Sequence, residues 1–421
     1  MSTISIAGGA ASDWSGAITD QSTLHDRILF FLLLSGPPKF RLRDPNASLD
    51  GLIDWVIVLQ LAVWLWAGLW VWWNAREYAK ANGRLPFMED WLGKLSIILI
   101  AFLTLSVLFS EAPALSAFKV YQLAVLFGFV TLFGRKFGVE DLFSNLFWAC
   151  AILAAIDVVA AAVMPDLVFV ESELGDMRFR GDLIAQTGIV SLIGLCLLLT
   201  IKSELPKFKF TFWLVLLGGV LVTSLMRTSY VALLAVLFLA AIRRPAIPFL
   251  RRLITLAFLA VPFMANALLT ALDSRRQVED IWTLSDRLGL WSYLIDTVTS
   301  QGPWLGLGYF AASRVYAPEY NPGLGTAHSA FIEIYVGGGL VSFAIFICIW
   351  AVMAVEIWRI YLGRPDKLGF TFVALFCAAF FLNAIGGELQ ADPAGFCFWA
   401  IVAGLSTMTS KSLINRPVLD A

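Results

Sequence analysis

Residues 51–73 read GLIDWVIVLQLAVWLWAGLWVWW. Apart from Asp54 and Gln60, the run is almost wholly apolar over about the 20 residues that a helix needs to cross hydrocarbon. Trp55, Trp64, Trp66, Trp70, Trp72 and Trp73 crowd it and its ends, as the residues of an aromatic belt do. Similar runs follow, and spans are read near 51–73, 92–110, 114–134, 143–164, 183–201, 210–225, 229–242, 250–272, 330–358, 369–387 and 394–409. A further stretch, 24–36, is too short to span unless it tilts little and recruits its flanks. The expected fold is all-α, a polytopic membrane protein of about 11–12 transmembrane helices. It forms a single integral membrane domain over 1–421, with one long loop at 273–329 that contains an amphipathic helix.

Composition agrees. The chain is 59% hydrophobic and 14% charged, with a mean hydropathy of +0.79, which excludes an ordinary soluble domain. Its formal net charge of −1 says little about partners, and no nucleic-acid partner is expected. The cysteines, Cys150, Cys196, Cys348, Cys377 and Cys397, all fall inside apolar runs without CxxC spacing. Neither a disulfide framework nor a metal site is expected, and no cofactor. No cleavable leader is read at the N-terminus, where the first apolar run ends early in Ser35-Gly36-Pro37-Pro38.

Basic residues mark alternate loops: Arg76, Lys80 and Arg84; Arg135 and Lys136; Lys202, Lys207 and Lys209; Arg243, Arg244, Arg251 and Arg252; Arg359, Arg364 and Lys367; Lys411 and Arg416. The positive-inside rule makes that side cytoplasmic. Segments 165–182, 226–228 and 273–329 then face the other side, and each carries arginine, a residue disfavoured there without a task.

Arg227 stands between two apolar runs too short to cross alone, so it is expected in a buried hairpin. There Thr228 and Ser229 could cap the following helix, and the helix amides would point where the guanidinium points. A guanidinium fork beside a helix N-terminus suits phosphate. Arg287 opens an amphipathic helix, 285–298, whose Leu288, Trp291, Ile295 and Val298 are read as one apolar face lying along the membrane surface. Arg178 and Arg180, in Met177-Arg178-Phe179-Arg180-Gly181-Asp182, precede a helix and are candidate anion ligands or ordinary loop ion pairs. His328 sits at the entry to a span. A helix N-terminus favours neutral imidazole, the form a general base requires. Gly306-Leu307-Gly308 reads as a turn rather than a nucleotide loop, and Gly337-Gly338-Gly339 as a close helix contact. Lys119, Asp157, Glu356 and Glu388 read as structural pairs in or beside spans.

Five blocks in order carry a resemblance: Arg178-Phe179-Arg180-Gly181, Leu225-Met226-Arg227-Thr228-Ser229, Asp286-Arg287-Leu288-Gly289-Leu290-Trp291, Gly302-Pro303-Trp304-Leu305-Gly306-Leu307-Gly308 and Ala327-His328-Ser329-Ala330-Phe331-Ile332-Glu333. Together they resemble the O-antigen ligase and polymerase superfamily of bacterial inner-membrane glycan-assembly proteins. Family members often carry asparagine where this chain has Ser329, and glutamate where it has Gly337. The resemblance implies metal-independent glycosyl transfer from an undecaprenyl-pyrophosphate-linked oligosaccharide to a glycan acceptor, on the periplasmic face. On that reading Arg227 and Arg287 hold the pyrophosphate, His328 takes the acceptor's proton, and Arg180 with Arg178 completes the anion site. The expected product is a surface polysaccharide made by polymerisation. Ligation to lipid A core or to protein is the alternative, and a lipid-linked sugar flippase a further one. Membrane lipid and a chain-length regulator are the other expected partners.

Overall fold

The computed structural model describes residues 22–35, 55–171, 177–179, 187–201, 205–224, 226–243, 287–321, 325–363, 367–390 and 392–414. Its helices are α1 (Leu24–Leu34), α2 (Trp55–Asn82), α3 (Trp91–Ser106), α4 (Pro113–Phe137), α5 (Val139–Val163), the short α6 (Pro165–Val168), α7 (Thr187–Ile201), α8 (Lys207–Thr223) and α9 (Arg227–Arg243). After these come α10 (Arg287–Gln301), α11 (Ala311–Tyr320), α12 (Ala330–Gly363), α13 (Lys367–Ile385) and α14 (Pro393–Ile414). Among the described residues, α2, α3, α4, α5, α12 and α13 are long and apolar enough to cross a bilayer, and parts of α7, α9 and α14 form shorter apolar helices. The chain is an all-α polytopic membrane protein. One small departure is a two-stranded antiparallel ribbon, β1 (Phe169–Glu171) with β2 (Met177–Phe179), pairing Val170 with Arg178. The expected span 250–272 lies outside the described residues.

The helices run back and forth between two ends. At the basic end, Arg135 closes α4 and reaches Glu89 and Asp90 at 2.9 Å each, and Ser406 of α14 at 2.9 Å. Tyr78 of α2 joins through its hydroxyl, which donates to Glu89 at 2.8 Å. One buried guanidinium therefore ties the ends of α2, α4 and α14 and the start of α3. Helix α1 is too short to span: its 11 residues extend about 16 Å. It is instead wedged into the bundle, with Leu29, Phe30, Leu33 and Leu34 buried. Its Asp26 both completes a capping box with Thr23 and accepts from the Trp70 indole at 2.8 Å.

The opposite end carries a small cap. Leu290, Leu294 and Val298 of α10 pack with Leu307, Ala312, Tyr316, Ala317, Ala327 and Val336 into a separate apolar core. The buried stripe is thus Leu290, Leu294 and Val298, at i, i+4 and i+8, while Leu288 is 47% exposed. This corrects the expected face Leu288–Trp291–Ile295–Val298 in part: Val298 is buried and Trp291 packs against the same core, but Leu288 does not join it. The helix turns this stripe toward its own loop because α11 and the start of α12 offer it an apolar partner.

The cap is fastened to the bundle by backbone pairing. Leu307 and Gly308 donate to the carbonyls of Val336 and Gly337 at 3.0 and 3.1 Å, and Leu340 donates to Pro303 at 2.8 Å. Helix α12 is broken there, with Gly339 at φ 69° and a would-be Cβ 2.4 Å from the Trp304 carbonyl carbon. A side chain would meet both strain and collision. The glycine triplet therefore corrects another expectation in part. It receives a loop at a helix break through Gly337 and Gly339, while Gly338 keeps the expected helix contact, a Cβ there lying 2.5 Å from Leu103 of α3. Tyr309 N also donates to Ser106 Oγ at 3.2 Å, and Tyr316 donates to Glu111 at 2.6 Å, which ties the cap to the junction of α3 and α4.

Candidate active site

Arg287 is the first residue of α10, and its guanidinium donates to the carbonyl of Ile385, the last residue of α13. Burial draws its pKa down, because desolvation penalises the charged form. Among the described residues no carboxylate pairs with it. A cation half out of water and bonded to a single neutral carbonyl is an unsatisfied donor fork.

Around that fork several helix ends meet. A Cβ at Gly386, next to Ile385, would lie 3.9 Å from Met226, the residue before Arg227. A Cβ at Gly188, in the first turn of α7, would lie within 2.9 Å of the same Met226 side chain. The N-termini of α7 and α9 and the C-terminus of α13 are therefore neighbours, with Arg287 against the last. Arg227 opens α9 and so stands at this junction by its backbone; its side chain lies outside the described residues. Neither Thr228 nor Ser229 caps α9, a correction to expectation, because the helix has already begun at Arg227. Ser229 Oγ is buried and has no partner among the described residues.

His328 belongs to the same end. Trp291, one turn along α10 from Arg287, donates its indole N–H to the Ala327 carbonyl at 2.8 Å. The histidine itself is half-buried in a left-handed conformation, φ 51°, one residue before Ser329, which precedes the first residue of α12. Such a backbone is uncommon outside glycine and must be held. Glu333 holds it: its carboxylate accepts from Ala327 N at 3.2 Å and from the Ser313 hydroxyl, which lies 2.6 and 2.7 Å from its two oxygens. Phe331 packs on Phe380 of α13, ring centroids 5.9 Å apart, and so sets α12 beside the helix whose end meets Arg287.

Arg178 lies in β2, whose neighbour Phe179 is buried with Val168, Ala160 and Val220. Its side chain, and the whole of Arg180, lie outside the described residues. Sequence reasoning gave no role to Glu333, Ser313 or Tyr309. A usable signal existed for Glu333 alone, an acid in the first turn of a span, where the helix dipole favours it. Among the described residues no cluster of histidine, cysteine or carboxylates could hold a metal. The arrangement offers one described guanidinium, Arg287, and, through the Trp291 bond to Ala327, a histidine on a held loop at the same end.

The match to known families falls on this part of the chain. Residues 210–347 match a family model described as O-antigen ligase, about a third of the chain, running from α8 past the break in α12 and including Arg227, Arg287 and His328. No curated protein matches. Among solved structures, a chain from the work described as "Structural coordination of polymerization and crosslinking by a peptidoglycan synthase complex" aligns over 78% of this chain and 99% of its own, at 17% identity and a TM-score of 0.41.

Proposed function

From an O-antigen ligase domain at residues 210–347, we propose that this membrane protein is a glycosyltransferase using a polyprenyl-pyrophosphate-linked oligosaccharide. It joins such units into a surface polysaccharide on the periplasmic side of the bacterial inner membrane. The observation that carries the reading is Arg287, a half-buried guanidinium with a carbonyl and, among the described residues, no carboxylate for company, placed where α9 begins and α13 ends. A diphosphate supplies the oxygens that fork lacks, and Arg227, with Arg178 and Arg180, adds charge to the same anion. The pyrophosphate leaves as the acceptor hydroxyl attacks the anomeric carbon, and His328 takes that hydroxyl's proton. Stabilising the departing diphosphate requires cationic donors already in place.

The direct test is turnover of an undecaprenyl-pyrophosphate-linked oligosaccharide by purified His328→Ala protein. Loss of about 100-fold or more fits a general base, and undiminished turnover removes His328 from the mechanism. A second reading, ligation to lipid A core or to protein, is favoured by the description of the matching family model. The glycan left on the carrier in a deletion strain separates the two. Single repeat units indicate polymerisation, and finished chains indicate ligation.

A further inference from the structure

Beside the arginine and the histidine runs a chain of hydrogen bonds that the mechanism above does not use. Tyr309, 1% exposed, donates its hydroxyl to Gln390 Oε1 at 2.5 Å. Gln390, also 1% exposed, then donates from Nε2 to Glu388 Oε2 at 3.0 Å. The chain ends on a half-buried carboxylate three residues beyond Ile385, whose carbonyl holds Arg287. Burial, together with the charges of Glu333 and Glu388, pushes the Tyr309 pKa well up, so the hydroxyl stays a donor.

Stability alone gives no reason for this placement. Glu388 follows the C-terminus of α13, where the helix dipole disfavours negative charge, and among the described residues no cation pairs with it. Two buried side chains are nonetheless spent fixing one of its oxygens and leaving the other. A separate observation points the same way. The buried Oδ1 of Asn383 has no donor among the described residues, and a Cβ at Gly387, the residue before Glu388, would lie 3.3 Å from it. Across the site, the buried Thr326 hydroxyl in the His328 loop also has no partner among the described residues. Fixed acceptors without donors suit a ligand rich in hydroxyl groups.

We infer that Glu388 is a sugar-contacting residue, whose Oε1 accepts hydrogen bonds from glycan hydroxyls held between the His328 loop and the end of α13. The inference rests on the glycan-transfer reading and assigns the glycan, rather than the pyrophosphate, to this carboxylate.

The experiment titrates full-length protein in lipid nanodiscs with undecaprenyl pyrophosphate and, separately, with undecaprenyl-pyrophosphate-linked oligosaccharide. Wild type is expected to bind the glycan-bearing lipid more tightly than the bare carrier. Glu388→Ala and Glu388→Gln should lose about tenfold or more of affinity for the glycan-bearing lipid, as expected for hydrogen bonds to a charged group. Their affinity for the bare carrier should stay within about twofold. Gln390→Leu, which keeps the carboxylate but frees it, should lose an intermediate share. Equal loss for both lipids, or no loss for either, overturns the assignment while the glycan-transfer reading stands. A wild-type protein that binds neither lipid overturns both.

Discussion

Arg287 shows how much depends on what a side chain lacks. Its one described partner is a carbonyl, so replacement by lysine keeps the charge and loses the planar fork. Arg287→Lys should weaken binding of undecaprenyl pyrophosphate by about tenfold or more, and Arg287→Ala by more again, in the nanodisc titration. Glu333 acts at one remove through the backbone before His328. Glu333→Ala should lower kcat about tenfold and leave donor KM nearly unchanged, because it loosens the loop without touching the anion site. Equal changes in both parameters would assign Glu333 to donor binding instead. Tyr309 gives a pH test. Its folded pKa lies above the unfolded value of about 10, so its contribution to stability is complete below pH ~10 and is lost as pH rises toward the folded value. Tyr309→Phe should flatten the alkaline fall in unfolding temperature. The residue scale is also where the sequence was least informative. Arg287 and His328 were nameable from neighbouring motifs, whereas the bond to Ile385 joins positions far apart in the chain and leaves no local pattern.

Among the elements, hydropathy located α2, α3, α4, α5, α12 and α13, because a bilayer imposes a minimum apolar length on a span. Helix α10 was harder. Leu288, Leu290, Trp291, Leu294, Ile295 and Val298 contain two overlapping apolar stripes, and the choice between them is made by α11, whose Ala312, Tyr316 and Ala317 carry little hydropathy signal of their own. The consequence is measurable. Leu294→Ala should cost the cap about 2–5 kcal/mol, seen as faster hydrogen exchange over 287–321 with the spans unaffected, whereas Leu288→Ala should change little. The break in α12 was equally hidden, since three glycines in a span read as helix contact until Trp304 is seen against Gly339 and Gly308 against Gly337. Gly339→Val should detach the turn at 302–308 and lower activity more than it lowers unfolding temperature.

For the whole molecule, the two ends do different work. The basic end is locked by Arg135, 5% exposed at its side chain, against Glu89 and Asp90. Removing one partner of a buried pair strands the others, so Arg135→Ala should lower stability by about 3–5 kcal/mol. Turnover per folded molecule should hold, because the candidate site lies at the far end. Thermal unfolding and specific activity measured on the same preparation separate these effects. Charge alternation along the chain made this two-ended layout legible, since each basic loop had to return to one side. The cap's seating on the bundle was not legible, because it depends on pairings such as Tyr316 with Glu111, 205 residues apart in the chain.

The pairing of residues 303–308 with both halves of the broken helix has a mechanical corollary. A segment stitched to a membrane span on either side of its kink cannot swing aside as a lid. On the proposed glycan-transfer reading, the glycan must therefore pass a stationary wall, and whatever gate admits it has to be hinged elsewhere. Cross-linking Leu307 to Val336 through paired cysteines should accordingly leave turnover intact.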